Sequence, residues 1–137
     1  MEQIMSNVYA RNREETELLF LVKARELQRE ITTFVMREKV LPKKWRLAIG
    51  LDLIKKADEL VDNITAANTI RVNKNSELKL LRKMYQQIAL ANCFQLQNRM
   101  VRAEKCVSTV KPEYKGRIIE LIDHEWNLLK AWVKSEE

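Results

Sequence analysis

The stretch GLDLIKKADELVDNITAAN, residues 50–68, decides the fold class. Its small and apolar residues recur at alternating steps of three and four, the heptad spacing of a helix that packs along one face. They are Gly50, Leu53, Ala57, Leu60, Ile64 and Ala67. Flanking isoleucine and valine residues widen this stripe to the breadth that a helix of a globular bundle buries. The pattern predicts a helix over residues 42–68, with Pro42 in its first turn, where proline is favourable.

Three further helices follow from the same kind of pattern on either side of this one. Residues 13–38 carry an apolar stripe at steps of three and four and predict the first helix. Residues 76–110 predict the third, with Ser76 as a suitable N-cap and an end between residues 105 and 110. Residues 112–134 predict the fourth, which again opens with a proline.

Each of these helices has an expected inward face. In the first helix it consists of Leu21, Ala24, Leu27 or Gln28, Ile31 and Phe34 or Val35. In the third it consists of Leu78, Leu81, Met84 or Tyr85, Ile88 and Ala91. The fourth helix carries two apolar stripes, one of Ile118, Leu121, Leu128 and Trp132, the other of Ile119, Ile122, Trp126, Leu129 and Val133. One core cannot readily take both stripes, so we expect self-association or a protein partner to bury the excess.

Four amphipathic helices with short connections predict an all-α, antiparallel up-down-up-down four-helix bundle, because short loops make successive helices antiparallel neighbours. We assign residues 1–12 to a polar N-terminal arm and residues 13–137 to a single bundle domain. No apolar run approaches the roughly 20 residues of a membrane span, and the first residues lack the apolar core of a signal peptide. We therefore expect a cytoplasmic protein that does not contact a membrane.

Positive charge is concentrated in the middle of the chain. The sequence holds 25 Lys and Arg against 19 Asp and Glu, a formal net charge of +6. Residues 1–68 have a net charge of only +1, whereas residues 69–117 carry 11 basic and three acidic side chains. A concentrated positive field attracts polyanions and makes nucleic-acid binding dependent on salt. The distribution favours RNA or DNA as a partner.

Two basic segments supply candidate phosphate contacts. Three cations cluster at the start of the second helix, where the helix dipole disfavours positive charge, and Trp45 among them either stacks on a base or closes the bundle end. The third helix carries a polar stripe with almost no acidic neighbours along it, either a solvated face or a contact surface for nucleic acid or another subunit. This stripe is Asn92, Gln95, Arg99 and Arg102. The candidate contacts are Lys43, Lys44, Arg46, Arg71, Lys79, Arg82, Lys83, Arg99 and Arg102.

Enzyme chemistry has no residue constellation to support it. Asp123, His124 and Glu125 are adjacent, and adjacent residues on a helix point in different directions. The chain has no Gly-rich phosphate loop and no Glu-x-x-His pairs of the di-iron bundles. A single histidine and two distant cysteines, Cys93 and Cys106, are too few for a zinc site, and we expect both thiols to be reduced and packed. We therefore expect no catalytic site, metal or cofactor.

The segment LPKKWRLAIG, residues 41–50, and the heptad that follows it to Asn68 resemble the second helix of the accessory variability determinant proteins of diversity-generating retroelements. The resemblance extends loosely over residues 18–134. Its later points are residues 77–98 and the ending LLKAW, residues 128–132. A related family, the bundle proteins encoded by intervening sequences in bacterial 23S rRNA genes, has Asn-Ile-Ala-Glu-Gly at the end of its second helix. This chain has Asn-Ile-Thr-Ala-Ala there, which favours the retroelement family.

The resemblance implies a four-helix bundle that assembles as a basic homopentamer. It further implies binding to the element's reverse transcriptase and template RNA, in support of mutagenic cDNA synthesis that the bundle itself does not catalyse. The alternative is a protein-interaction bundle of the rRNA intervening-sequence type without a direct nucleic-acid role. In that case the basic residues keep an oligomer soluble or dock an acidic partner.

Overall fold

The structure, a computed structural model, describes residues 19–137. Within this range the chain forms four α-helices and no β-strand. They are α1 (Leu19–Met36), α2 (Leu51–Thr69), α3 (Ser76–Cys106) and α4 (Pro112–Ser135). The all-α four-helix bundle predicted from the sequence is confirmed. The predicted polar arm at residues 1–12 and the predicted start of the first helix at residues 13–18 lie outside the described residues.

Side-chain contacts give the direction of each helix relative to its neighbours. Asn63 of α2 donates a hydrogen bond to Asn92 of α3 at 2.8 Å, while Arg99 further along α3 pairs with Asp52 earlier on α2. These two helices are therefore antiparallel. The same reversal relates α4 to both α3 and α1, through the pairs Phe94–Trp126, Glu104–Lys115, Phe20–Trp132 and Glu30–Arg117. Helices that follow one another are thus antiparallel neighbours, as an up-down-up-down bundle requires.

The core is built on the stripes that the sequence identifies in α1 and α2. All six residues of the α2 heptad, from Gly50 to Ala67, are buried. The α1 positions are buried as well: Leu21, Ala24, Leu27, Ile31 and Phe34. Burial of each leucine, isoleucine or phenylalanine side chain among them contributes about 1.5–3 kcal/mol. The heptad predicted for α2 and the apolar stripe predicted for α1 are confirmed.

The predicted second helix is helical along its length but not uniform. After Pro42 the chain forms a 3-10 turn, Lys43–Trp45, and a π-helical turn, Arg46–Gly50, and only then α2. A π-turn closes its hydrogen bonds over five residues instead of four. Apolar spacing over so short a segment does not distinguish the two kinds of turn, so the sequence gives no sign of this one.

The connection between α2 and α3 is the loop expected at residues 69–75. Asn73 and Lys74 adopt positive φ angles of 43° and 65°, a conformation that asparagine tolerates better than most residues. The N-cap is Asn75 and not Ser76, because the Asn75 side chain accepts hydrogen bonds from the backbone N–H groups of Glu77 and Leu78. The helix nevertheless begins at the expected residue.

The predicted inward face of α3 is wrong. Leu81, Met84, Ile88 and Ala91 are exposed, and Leu78 and Tyr85 are only partly buried. The buried residues are Gln86, Ala89, Leu90, Asn92, Cys93, Leu96, Met100 and Ala103. Among them Ala89, Cys93, Leu96, Met100 and Ala103 follow a regular four-three spacing of mostly smaller side chains. Because α3 has apolar residues on two faces, periodicity alone does not show which face is buried. The predicted face has the larger side chains, and the buried one has mostly smaller ones.

In α4 the core takes residues from both apolar stripes and from neither alone. The buried positions are Ile118, Ile122, Glu125, Leu129 and Trp132. Ile119, Trp126 and Val133 pack against this core and are only partly buried. Both stripes therefore contribute to one core, contrary to the expectation that one core cannot readily take both, and the rest of their side chains pack against it only partly buried. Glu125, an acidic residue that the sequence pattern did not place inside, lies in the middle of the buried face of α4.

Candidate nucleic-acid interface

The nine candidate phosphate contacts do not lie together on one face of the bundle. They divide between its two ends. Lys43, Lys44, Arg46, Arg99 and Arg102 lie towards the end where α1 and α3 finish and α2 and α4 begin. Arg71, Lys79, Arg82 and Lys83 lie at the opposite end, in the α2–α3 loop and the first turns of α3. At about 1.5 Å per residue, the 31-residue α3 separates the two groups by tens of ångströms.

We call residues 37–50 and 98–117 the basic end. Its two connecting segments are in contact, because the Thr109 hydroxyl donates a hydrogen bond to the Val40 carbonyl oxygen at 2.8 Å. These residues include 11 basic and three acidic side chains. Seven of the cations are exposed and form no ion pair within residues 19–137: Arg37, Lys39, Lys43, Lys44, Arg102, Lys105 and Lys111. The basic end is therefore an accessible cluster of cations.

Two of the predicted contacts at this end are held by carboxylates. The guanidinium of Arg99 lies 2.9 Å from a carboxylate oxygen of Asp52, and that of Arg46 lies 3.5 Å from one of Glu38. The expectation that the α3 polar stripe has almost no acidic partner is thus wrong for Arg99, since α2 supplies one. Both arginines are partly buried, and ion pairs near the surface contribute about 0–1 kcal/mol.

Arg82, at the opposite end, is partly buried and bound by other groups of the protein. Its guanidinium donates to the Ile70 carbonyl oxygen, pairs with Glu136 and lies 5.3 Å from the centroid of the Trp132 ring. These contacts tie the α2–α3 loop to the end of α4. Arg71, Lys79 and Lys83 beside it are exposed.

Two other predicted polar features have mixed outcomes. Asn92 of the α3 stripe is buried, accepts a hydrogen bond from Asn63 and donates one to Gln95 at 3.0 Å, so this part of the stripe links α2 to α3. Trp45 is partly buried and packs against the core, with the ammonium of Lys44 5.9 Å from its ring centroid. Packing at the bundle end is therefore one role of Trp45.

Asp123, His124 and Glu125, near the middle of α4, point in different directions. Asp123 and His124 are exposed, whereas Glu125 is fully buried and neither of its carboxyl oxygens is hydrogen-bonded within residues 19–137. Burial raises the pKa of Glu125 to about 8, an effect that the positive charge of Lys23 partly offsets. Burial, with a smaller effect of Glu125, raises the pKa of Cys93 to about 12. Neither group is a poised acid or nucleophile at a surface.

Both cysteines are free thiols; Cys93 is buried as expected, but Cys106 is exposed, so the expectation of packing is wrong for that residue. Within residues 19–137 no three His, Cys, Asp or Glu side chains are grouped to hold a metal ion. No helix in the described part of the chain is long and apolar enough to cross a bilayer. Comparison of the chain with protein-family models, curated proteins and solved structures finds no match.

Proposed function

We propose that this protein is a non-catalytic nucleic-acid-binding bundle that supports mutagenic reverse transcription, in the manner of the retroelement accessory proteins that its second helix resembles. The observation that carries the proposal is the basic end, where seven exposed cations lack ion pairs within residues 19–137. Lysine and arginine that neutralise phosphates release counterions, and this supplies most of the affinity for a nucleic-acid backbone. The partners are template RNA or cDNA and the element's reverse transcriptase.

Charge reversal at the basic end should weaken RNA binding. In the variant Lys44→Glu/Arg102→Glu, both side chains are exposed and neither forms an ion pair within residues 19–137, so the fold should be unaffected. We expect affinity for a mixed-sequence RNA to fall at least about tenfold and the dependence of log K on log salt to become shallower by about 0.7 per lost contact on a single strand. Fluorescence anisotropy over a salt series measures both.

The matched control reverses two exposed arginines of α1, in Arg25→Glu/Arg29→Glu, which makes the same change in net charge. Equal losses in both variants would mean that net charge alone drives binding. Unchanged RNA affinity in the basic-end variant would reject the proposed interface.

Self-association is the second part of the proposal and is supported by an uncovered apolar face. Leu81, Met84 and Ile88 lie at steps of three and four on α3 and are 40%, 53% and 43% exposed. Exposed apolar residues in one contiguous line are typical of protein contacts. The same face also suits the alternative function, a protein-interaction bundle, and RNA affinity at moderate salt separates the two.

Light scattering should find the protein as an oligomer, a pentamer by the resemblance. The double substitution Met84→Glu/Ile88→Glu should shift it to monomer, because it places carboxylates where apolar contact is required. Helical content should be unchanged, since both side chains point to solvent. A monomer before any substitution would contradict this part of the proposal.

A further inference from the structure

A groove follows the surface between α3 and α4, away from the basic end. Three depressions form it and join end to end: Trp126 lines the first and second, and Val133 and Glu137 line the second and third. Along α3 the groove runs from Lys79 to Gln97, about 27 Å at the rise of an α-helix. This length accommodates several nucleotides of an extended strand.

Two aromatic rings lie at one end of the groove. Phe94 is 53% exposed, and its ring centroid lies 4.3 Å from that of the partly buried Trp126 at an interplanar angle of 57°. Both rings line the same depression. A large aromatic side chain left half in water keeps a free face, and such a face is a site on which a flat, unpaired base can stack.

Lysines line the rest of the groove from both sides. Lys79 and Lys83 come from α3 and Lys130 and Lys134 from α4, and none of the four forms an ion pair within residues 19–137. The ammonium of Lys130 lies 5.7 Å from the Trp126 ring centroid, so one cation stands directly beside the aromatic pair. The spacing of these lysines along the groove suits successive phosphates of a single strand.

Acidic groups along the groove are fewer and partly engaged. Asp123 lies beside the aromatic pair and Glu137 at the far end. The carboxylate of Glu136 is already occupied, because it pairs with Arg82 and accepts a hydrogen bond from Gln86 at 2.9 Å. The amide side chains of Gln87 and Gln97, also on the groove surface, offer donors and acceptors to base edges.

From these observations we infer that the α3–α4 groove binds unpaired nucleotides, with bases stacked on Phe94 and Trp126 and the backbone held by the groove lysines. The inference rests on the proposed function and deepens it, because it gives the protein a preference for single strands that the basic end alone does not provide. The part of an RNA template that has not yet been copied is such a strand. A duplex keeps its bases stacked inside and offers the groove only its backbone.

The first test removes the aromatic faces and keeps an apolar side chain at each position. Phe94→Leu and Trp126→Leu should each weaken binding of a single-stranded oligouridine of about twelve nucleotides by roughly fivefold to a hundredfold. Binding of a duplex RNA of equal length should be unchanged. The salt dependence of single-strand binding should also be unchanged, because stacking releases no counterions.

The second test removes charge. Lys83→Ala/Lys130→Ala should make log K against log salt shallower by about 0.7 per lysine for the single strand. The matched control, Arg25→Ala/Arg29→Ala, alters two exposed cations of α1 and should leave that slope unchanged. Thermal unfolding by circular dichroism verifies that each variant is folded.

The outcomes separate the groove from the basic end. If the aromatic and lysine variants bind the single strand like the parent while Lys44→Glu/Arg102→Glu binds poorly, the groove inference is overturned and the proposed function stands. Equal losses on single strand and duplex in Phe94→Leu also overturn it, because stacking on unpaired bases is then not the cause. If the parent protein binds neither RNA, the proposed function fails, and the groove inference fails with it.

Discussion

At pH 7 the variant Glu125→Gln should be more stable than the parent protein by on the order of 3 kcal/mol, and the difference should vanish near pH 4. Glu125 is fully buried, and in the described part of the chain neither of its carboxyl oxygens has a hydrogen-bond partner. An ionised carboxylate without water or hydrogen-bond donors around it has a high free energy, so burial raises the pKa of Glu125 from 4.5 to about 8. Glutamine has nearly the same shape as the protonated acid and does not titrate.

The sign follows from proton binding in the two states. In the folded protein Glu125 keeps its proton up to about pH 8, whereas in the unfolded chain it releases the proton near its ordinary pKa of 4.5. The folded state therefore binds more protons between these values, and stability falls as pH rises through this window. Each pH unit costs up to about 1.4 kcal/mol until the folded pKa is reached. Below pH 4.5 the acid is neutral in both states and contributes no such loss.

Urea unfolding of both proteins from pH 4 to pH 9 measures the effect, with the difference in unfolding free energy plotted against pH. A second variant, Glu125→Met, also removes the unpaired oxygens and should be at least as stable as Glu125→Gln at pH 7. Glu120→Gln is the matched control on the same helix, and because its side chain is exposed it should change stability by less than about 0.5 kcal/mol at pH 7. A difference between parent and Glu125→Gln that does not vary with pH would contradict the buried-acid explanation.

The burial of Glu125 could not be predicted from the sequence, whereas the core positions of α1 and α2 could. The stripes of α1 and α2 could be predicted because each helix has one apolar face and prolines mark the corners near residues 42 and 112. In α3 and α4, apolar residues occupy more than one face, and which face becomes buried depends on how four helices share one interior. Local spacing carries no information about that, so it predicts Ile88 inside and gives no sign that Glu125 is buried.

The candidate interface shows the same limit for charge. The excess of cations between residues 69 and 117 is visible in the sequence, but the pairing of Arg99 with Asp52 depends on the register of α3 against α2. The basic end likewise combines residues 37–50 with residues 98–117, two segments that are distant in sequence. The aromatic pair of the groove consists of Phe94 on α3 and Trp126 on α4. The sequence does not show that these two rings meet, or that Phe94 is exposed.

Replacing Gly50 by alanine should destabilise the bundle by about 1–3 kcal/mol, the cost of overpacking a well-packed core. A Cβ at this position would lie 2.7 Å from Val35 Cγ1 and 3.3 Å from Leu41 Cδ2. Val35 is buried and β-branched, so its side chain has no alternative rotamer that moves the methyl away cheaply. Gly50 is thus the point where the π-helical turn brings its backbone against α1, and the end of α1 has to shift if a methyl group is added.

The other glycine of the chain provides the matched control. Gly116 lies within α4, and a Cβ there would meet nothing within 4 Å. Gly116→Ala should therefore stabilise the protein by up to about 1 kcal/mol, the ordinary difference in helix propensity between the two residues. Glycine-to-alanine substitution is therefore expected to lower stability at residue 50 and to raise it at residue 116. The opposite signs distinguish a steric clash with Val35 from the general effect of helix propensity.

A double-mutant cycle identifies the contact responsible. Val35→Ala alone should destabilise the protein by creating a cavity, but in the Gly50→Ala background it removes the clash and should cost much less or even stabilise. Urea unfolding of the parent, both single variants and the double variant gives the coupling free energy, expected at about 0.5–3 kcal/mol. Additive effects would mean that the methyl group at residue 50 does not meet Val35, and that α1 and the π-helical turn are not in close contact at this point.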